Sequence, residues 1–215
     1  MGALTESQLP DPLVVMALEQ EAGDVFQHAG IPVLYTGVGK INATYHLAIQ
    51  LAAYARADAP LPFVVNFGTA GSPRFDTHTL VACRSFVQRD MDASALGFDV
   101  GQTPFDPVPL VLTFPALDLG LPEGVCGSGD SFATTCITTD CSVFDMEAYA
   151  LAKVSWLRGA RFLAIKYITD GADHAAADAW KENLKSAPER FLEVYRRLQR
   201  DRAVTRPSPE DAAGA

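Results

Sequence analysis

Cations are scarce in this chain. Its 215 residues carry 17 lysines and arginines against 26 aspartates and glutamates, a formal net charge of −9. Nucleic-acid phosphates and anionic lipid headgroups are held by clustered Lys and Arg, and the sequence has no such cluster. Nucleic acid and membrane surfaces are therefore not expected partners. Histidine and cysteine are few as well. The four histidines, at 28, 46, 78 and 174, are scattered. The four cysteines, Cys83, Cys126, Cys136 and Cys141, have the spacing of neither a zinc site nor a redox pair. No metal and no cofactor are expected, and reduced thiols fit a cytoplasmic protein. A Cys136–Cys141 disulfide is the one pairing left open. No apolar run approaches the roughly 20 residues of a membrane span. The segment 1–10 lacks the basic start and apolar core of a signal peptide.

What is present is an ordinary globular balance, 48% hydrophobic and 20% charged, over a length that suits one large domain. The polar, Pro-containing ends, 1–10 and 203–215, are expected to be disordered, with the folded domain spanning 11–202. Inside it apolar runs alternate with helical patterns. Strands are expected over 12–18, 31–36, 63–67, 79–87, 142–146 and 161–168, with a strand-like run at 110–114. Helices are expected over 19–29, 37–57, 147–157 and 176–200. The rest of 90–124 is rich in Gly, Pro and Asp. This alternation predicts a single-domain α/β fold, a mixed, mostly parallel central sheet flanked by helices on both faces.

Ligands of such sheets bind beyond the carboxyl ends of the strands. Reading those ends in turn gives Glu19-Gln20-Glu21, the turn Gly68-Thr69-Ala70-Gly71, Glu147, and Asp170. Segments distant in sequence thus deliver carboxylates to one edge beside a Gly-rich turn. Carboxylates and backbone amides suit acid/base work on a hydroxylated ligand. Each feature also has a plain structural reading. Glu19 and Glu21 would favour a helix dipole. Gly37-Val38-Gly39-Lys40 precedes a helix and could cradle an anion, though it lacks the third glycine of the dinucleotide fingerprint. Gly68 and Gly71 could simply turn the chain. Asp170 could cap a helix, and Asp145-Met146-Glu147 could be a solvated strand end.

At these residues the sequence resembles the nucleoside phosphorylase superfamily, and within it the 5′-methylthioadenosine/S-adenosylhomocysteine nucleosidases. The similarity runs in order over nearly all of residues 12–200. Met16-Ala-Leu-Glu-Gln-Glu-Ala22 resembles the family's Ala-Met-Glu-Glu-Glu turn. Thr36-Gly-Val-Gly-Lys-Ile-Asn-Ala43 resembles its glycine-lysine helix start. Asn66-Phe-Gly-Thr-Ala-Gly71 resembles the turn beside the ribose. Arg89-Asp-Met-Asp-Ala and Gly97-Phe98 resemble the loop approaching the 5′ substituent. Ser128-Gly-Asp-Ser-Phe132 resembles the segment that meets the base. Phe144-Asp-Met-Glu-Ala148 resembles the ribose-binding Glu-Met-Glu-Ala, and Ile168-Thr-Asp170 the Ile-Ser-Asp that ends in the catalytic acid.

The resemblance implies the family's three-layer fold, a purine nucleoside as small-molecule partner, a homodimer, and a division of labour. Asp170 would protonate or hydrogen-bond N7 of the leaving purine. Glu147 would hold the ribose hydroxyls and stabilise the cation-like sugar, with Met146 packed beside it. Phe132 would stack on the base and Ala133 offer main-chain contacts. Glu21 would activate water. Thr69 and Gly71 would lie beside the ribose, and Phe98 would line an apolar 5′ pocket. Lys166 stands where these nucleosidases usually carry an arginine near the attacking water, without the arginine's bidentate fork. Ser72-Pro73 follows Gly71 where another glycine is usual, and Asp145 replaces the first glutamate of the ribose motif.

Three other readings compete. A phosphorylase of the same fold needs arginines for phosphate, and residues 19–29 contain no Arg or Lys. Other purine hydrolases of the fold, acting on futalosine-like substrates, stay open. A non-catalytic nucleoside-binding protein would not need all three carboxylates.

Overall fold

The computed structural model describes residues 11–132, 140–172, 180 and 183–204. Ala133, Cys136 and the expected disordered ends, except for 203–204, lie outside the described residues. In chain order the elements are β1 (Leu13–Met16), α1 (Glu19–Ala22), α2 (Val25–His28), β2 (Val33–Tyr35), α3 (Lys40–Arg56), β3 (Val64–Gly71), β4 (Leu80–Gln88), β5 (Leu112–Thr113), β6 (Glu123–Ser128), β7 (Val143–Asp145), α4 (Ala148–Arg158), β8 (Phe162–Asp170) and α5 (Ala187–Val204).

The eight strands form one mixed sheet in the order β2-β1-β3-β7-β6-β4-β5, with β8 pairing both β3 and β4. β1 lies parallel to β2 and β3, β3 parallel to β8, and β6 parallel to β4 and β7. Antiparallel pairs join β3 to β7, β4 to β5, and β4 to β8. The pairings β3–β8–β4–β6–β7 therefore return to β3. That closure gathers the ends of β3, β7 and β8: Gly71 pairs with Phe144 on one side and with Asp170 on the other.

Successive residues of the central strands feed opposite layers, as the two-residue repeat of a strand requires. Val15 and Val64 join a core with Leu47 and Leu51 of α3 and Leu151 of α4. Val14, Met16 and Val65 join a second core with Phe26 of α2 and Phe191 and Tyr195 of α5. Both faces are thus covered, and runs such as Val64-Val65 are apolar without alternation because each side chain has a layer to enter. Phe67 sits between Phe26 and Phe191, with ring centroids 6.0 and 5.3 Å away.

Four elements differ from the sequence expectation. The helix expected over 19–29 is broken at Gly23, which adopts φ +50, and where a Cβ would press Pro188 of α5 at 3.3 Å. β3 and β8 run past residues 67 and 168 to Gly71 and Asp170. β6 was not expected at all. Its two glycines are poor strand formers, yet a Cβ at Gly124 would meet Val143 at 2.9 Å and one at Gly127 would meet Cys141 at 2.6 Å. Close approach of β7 and the segment before it, not propensity, selects those residues.

Candidate active site

A partly open cavity of about 250 Å³ lies beyond the ends of β1, β3, β6, β7 and β8. Glu21, Thr69, Gly71, Phe132, Met146, Glu147 and Asp170 all line it, brought together from five segments. Its wall is mainly apolar between these groups, including Val38, Phe144 and Trp180.

Glu21 is 4% exposed and its carboxylate accepts four hydrogen bonds. Oε1 accepts the Thr69 N–H at 2.8 Å and the Thr69 hydroxyl at 3.0 Å, and Oε2 accepts the Ala17 and Leu18 N–H groups, each at 3.1 Å. The same glutamate thus closes the first turn of α1 and ties it to β3. Trp180 extends this chain, its indole N–H donating to Thr69 Oγ at 3.0 Å.

Asp170 ends β8. The Thr169 hydroxyl donates to its Oδ2 at 2.8 Å and the Ala172 N–H to its Oδ1 at 2.9 Å. Gly71 faces it so closely that an added Cβ would lie 2.5 Å from Asp170 Oδ1. The glycine in this turn makes room for the acid and adopts no positive φ.

Glu147 stands at the N-cap position of α4, one residue before the helix begins at Ala148, and its Oε1 accepts the Gly39 N–H at 2.8 Å. Gly39 reaches that position with φ +96, a conformation that favours glycine. Burial is the largest influence on Glu147, and the Asp145 carboxylate adds repulsion. Together they outweigh Lys166 and the Gly39 amide and push the carboxyl up to about 8.

The wall that ends in Phe132 is pinned by Arg89 and by an ion-pair cluster at Lys40. Arg89 donates through Nη1 to Ser131 Oγ at 3.2 Å and through Nη2 to the carbonyls of Gly129, at 3.3 Å, and Ser131. Lys40 of α3 pairs with Asp90 at 2.5 Å, Asp90 accepts the Asp130 N–H at 2.9 Å, and Asp130 accepts the Lys40 N–H at 2.8 Å.

Two expected binding residues lie elsewhere. Phe98 is absent from the cavity lining. Its ring packs edge-on against Phe105, centroids 5.4 Å apart. Lys166 lies behind the cavity, 1% exposed, with its ammonium 2.7 Å from Asp145 Oδ2. Conversely, sequence reading missed Trp180 and Val38 as lining residues. Trp180 falls within the helix expected over 176–200, and an indole, apolar with one donor, can serve a core or a site equally. No group of three or more potential metal ligands occurs among the described residues.

Residues 25–200 match the family model of the Phosphorylase superfamily. The chain belongs to the phosphorylase superfamily. The 5′-methylthioadenosine/S-adenosylhomocysteine nucleosidase of Marinomonas sp. is 25% identical over 189 residues, covering 76% of this chain and 78% of that protein. The nucleosidase of the same name from Chromohalobacter salexigens is 28% identical over 199 residues, covering 79% and 82%. Among solved structures, the Helicobacter pylori nucleosidase complexed with a pyrrolidine ligand superposes with a TM-score of 0.75 at 20% identity, covering 87% of this chain and 97% of that one. A structure described as the futalosine hydrolase of the same organism gives 0.75, also at 20% identity, covering 88% and 98%. These structural likenesses establish the superfamily's single-domain α/β fold with a mixed sheet.

Proposed function

We propose that this superfamily member is a nucleosidase. It hydrolyses the N-glycosidic bond of a purine nucleoside, methylthioadenosine or adenosylhomocysteine, and releases adenine. The observation that carries the reading is the convergence of Glu21, Glu147 and Asp170 on one cavity with Phe132 and Met146 in its wall. In the reaction the C1′–N9 electron pair leaves with the base. Asp170 supplies a hydrogen bond or proton to N7, Glu147 faces the ribose hydroxyls and the positive sugar, and Glu21 takes a proton from water as its oxygen bonds to C1′. Phe132 stacks on the purine. The names of the relatives at 25% and 28% identity support the same activity.

Hydrolysis is favoured over phosphorolysis because α1 carries Glu19 and Glu21 and no basic residue. Arg89, the cation that does line the cavity, directs its hydrogen bonds to the 129–131 loop. We place the reaction in the cytoplasm, in keeping with the buried free thiols of Cys83 and Cys126, and no helix among the described residues is long and apolar enough to cross a membrane. The working unit is a homodimer, supported by an exposed apolar stripe on α3 that begins at the cavity.

The test is a nucleoside panel with and without phosphate. Free adenine and a sugar bearing a 1-hydroxyl are expected in both conditions, with kcat/KM higher for methylthioadenosine than for inosine. Sugar 1-phosphate formed only when phosphate is present would overturn hydrolysis. Faster turnover of inosine would overturn the adenine assignment, and preference for a nucleoside with an aromatic carboxylate at the 5′ end would move the reading to the futalosine-type hydrolases.

A further inference from the structure

Lys166 has the position of a water-holding residue in the sequence but another set of contacts in the fold. Its ammonium is 2.7 Å from Asp145 Oδ2, and both side chains are 1% exposed. Among the described residues Asp145 is the one carboxylate within 4.0 Å of that nitrogen, so neither Glu21 nor Glu147 pairs with it directly. Gly68, paired with Lys166 on the neighbouring strand, makes room for this arrangement, since an added Cβ would lie 3.0 Å from Nζ.

Asp145 in turn serves the start of α4. Its Oδ2 accepts the Ala148 N–H at 2.8 Å, and its Oδ1 accepts the Ser128 hydroxyl. Ser128 Oγ accepts the Tyr149 N–H at 2.7 Å. The first amides of α4 are thus capped from β7 and β6, because Glu147, at the N-cap, turns its own side chain away to Gly39. A helix start whose N-cap residue is committed elsewhere needs other acceptors for its free N–H groups.

We propose that Lys166 is a positioning residue, not a ligand of the attacking water: its ammonium neutralises Asp145, and Asp145 with Ser128 caps α4 so that Glu147 is held at the cavity. This rests on the nucleosidase reading for what Glu147 does there. The pair also sets the field that Glu147 feels. The groups facing Glu147 are Asp145 from β7, Lys166 from β8, Glu21 from α1 and the Gly39 amide before α3, two of them repelling its charge and two favouring it. Shortening glutamate to aspartate and exchanging arginine for lysine at these two positions is consistent with one compact pair.

The roles separate in a double-mutant cycle of Lys166→Met, Asp145→Asn and both together, read in kcat, KM, the pH profile of kcat/KM and the pH dependence of thermal unfolding. Removing one partner of a buried pair leaves a naked charge or an unpaired ammonium, whereas replacing both by neutral side chains of similar size is often tolerated. Each single variant should lose at least about a hundredfold in kcat/KM or fail to fold. Lys166→Met, where it folds, should move the Glu147 limb to higher pH, and Asp145→Asn should move it lower. The double variant should fold and return to within about tenfold of the parental kcat. A double variant that does not fold, or that folds and stays more than about a hundredfold slow in kcat, overturns the proposal, because a water-holding ammonium would be missing from it just as from Lys166→Met. A parental protein that releases no base would instead refute the nucleosidase reading, and the unfolding data would still report whether the two charges compensate each other.

Discussion

Burial makes Glu147 hold its proton near neutrality in the free protein, with a pKa of about 8 against an ordinary 4.5. A ribose-binding carboxylate works best ionised, so kcat/KM should rise with pH along a limb near 8, and Glu147→Gln should remove that limb along with most activity. Stability should move the opposite way. Between 4.5 and about 8 the unfolded chain gives up this proton while the folded chain keeps it, so unfolding becomes easier as pH rises through the window. The loss is on the order of a few kcal/mol. Thermal unfolding from pH 5 to 9 should show the decline in the parental protein and a flatter curve in Glu147→Gln; parallel curves would contradict the assignment. Asp170→Asn, which keeps shape but exchanges the carboxyl for an amide, should cut kcat by about 10²–10⁴-fold while changing substrate affinity little. Trp180→Phe tests the chain from indole to Thr69 to Glu21. It keeps the apolar wall and deletes one neutral hydrogen bond, so kcat should fall by about three- to tenfold with only a small drop in melting temperature. An unaltered kcat would mean that Trp180 only fills space.

At the scale of elements, glycine shows what the sequence could and could not disclose. The turn Gly68–Gly71 was legible as a site feature, because small residues after an apolar strand mark close approach. What they approach was not. Gly68 admits the Lys166 ammonium and Gly71 the Asp170 carboxylate, both contacts with β8, nearly a hundred residues away. Gly71→Ala should therefore behave as a site mutation rather than a turn mutation. A Cβ 2.5 Å from Asp170 Oδ1 must displace the acid, so kcat should fall by about tenfold or more in a protein that still folds. A fully active Gly71→Ala would show that Asp170 need not sit where it does. The same limit explains β6. Strands β1, β3 and β8 were readable from their buried Val, Ile and Phe. Glu123-Gly-Val-Cys-Gly-Ser128 has two glycines chosen by neighbours at Val143 and Cys141, so its local signal is that of a loop. The three carboxylates were legible because strand ends are. The placement of Lys166 was not, since its partner Asp145 reads alone as an exposed strand end.

For the whole molecule the question is what covers α3. Ile41, Tyr45 and Ile49 are 81%, 61% and 48% exposed and recur at the spacing of one helical face. Val38, just before the helix, continues that stripe and lines the cavity. A contiguous apolar surface on a single helix is costly to leave in water, and a stripe running into a site points to a partner that also helps close it. A second copy satisfies both demands, since a two-fold interface places the same α3 face on each subunit. Sedimentation of the parental protein at micromolar concentration should give a dimer. Ile41→Glu with Tyr45→Glu should give a monomer, because two carboxylates would then have to be buried on each side of the contact. These positions touch none of the buried core, so the monomer should keep its secondary structure. Its KM should rise, with kcat less affected, if the neighbour's contribution is to enclose the substrate rather than to supply a reacting group. A parental monomer at that concentration would exclude the dimer. A monomeric double variant with parental KM would leave the dimer standing but show that each cavity is complete within one chain.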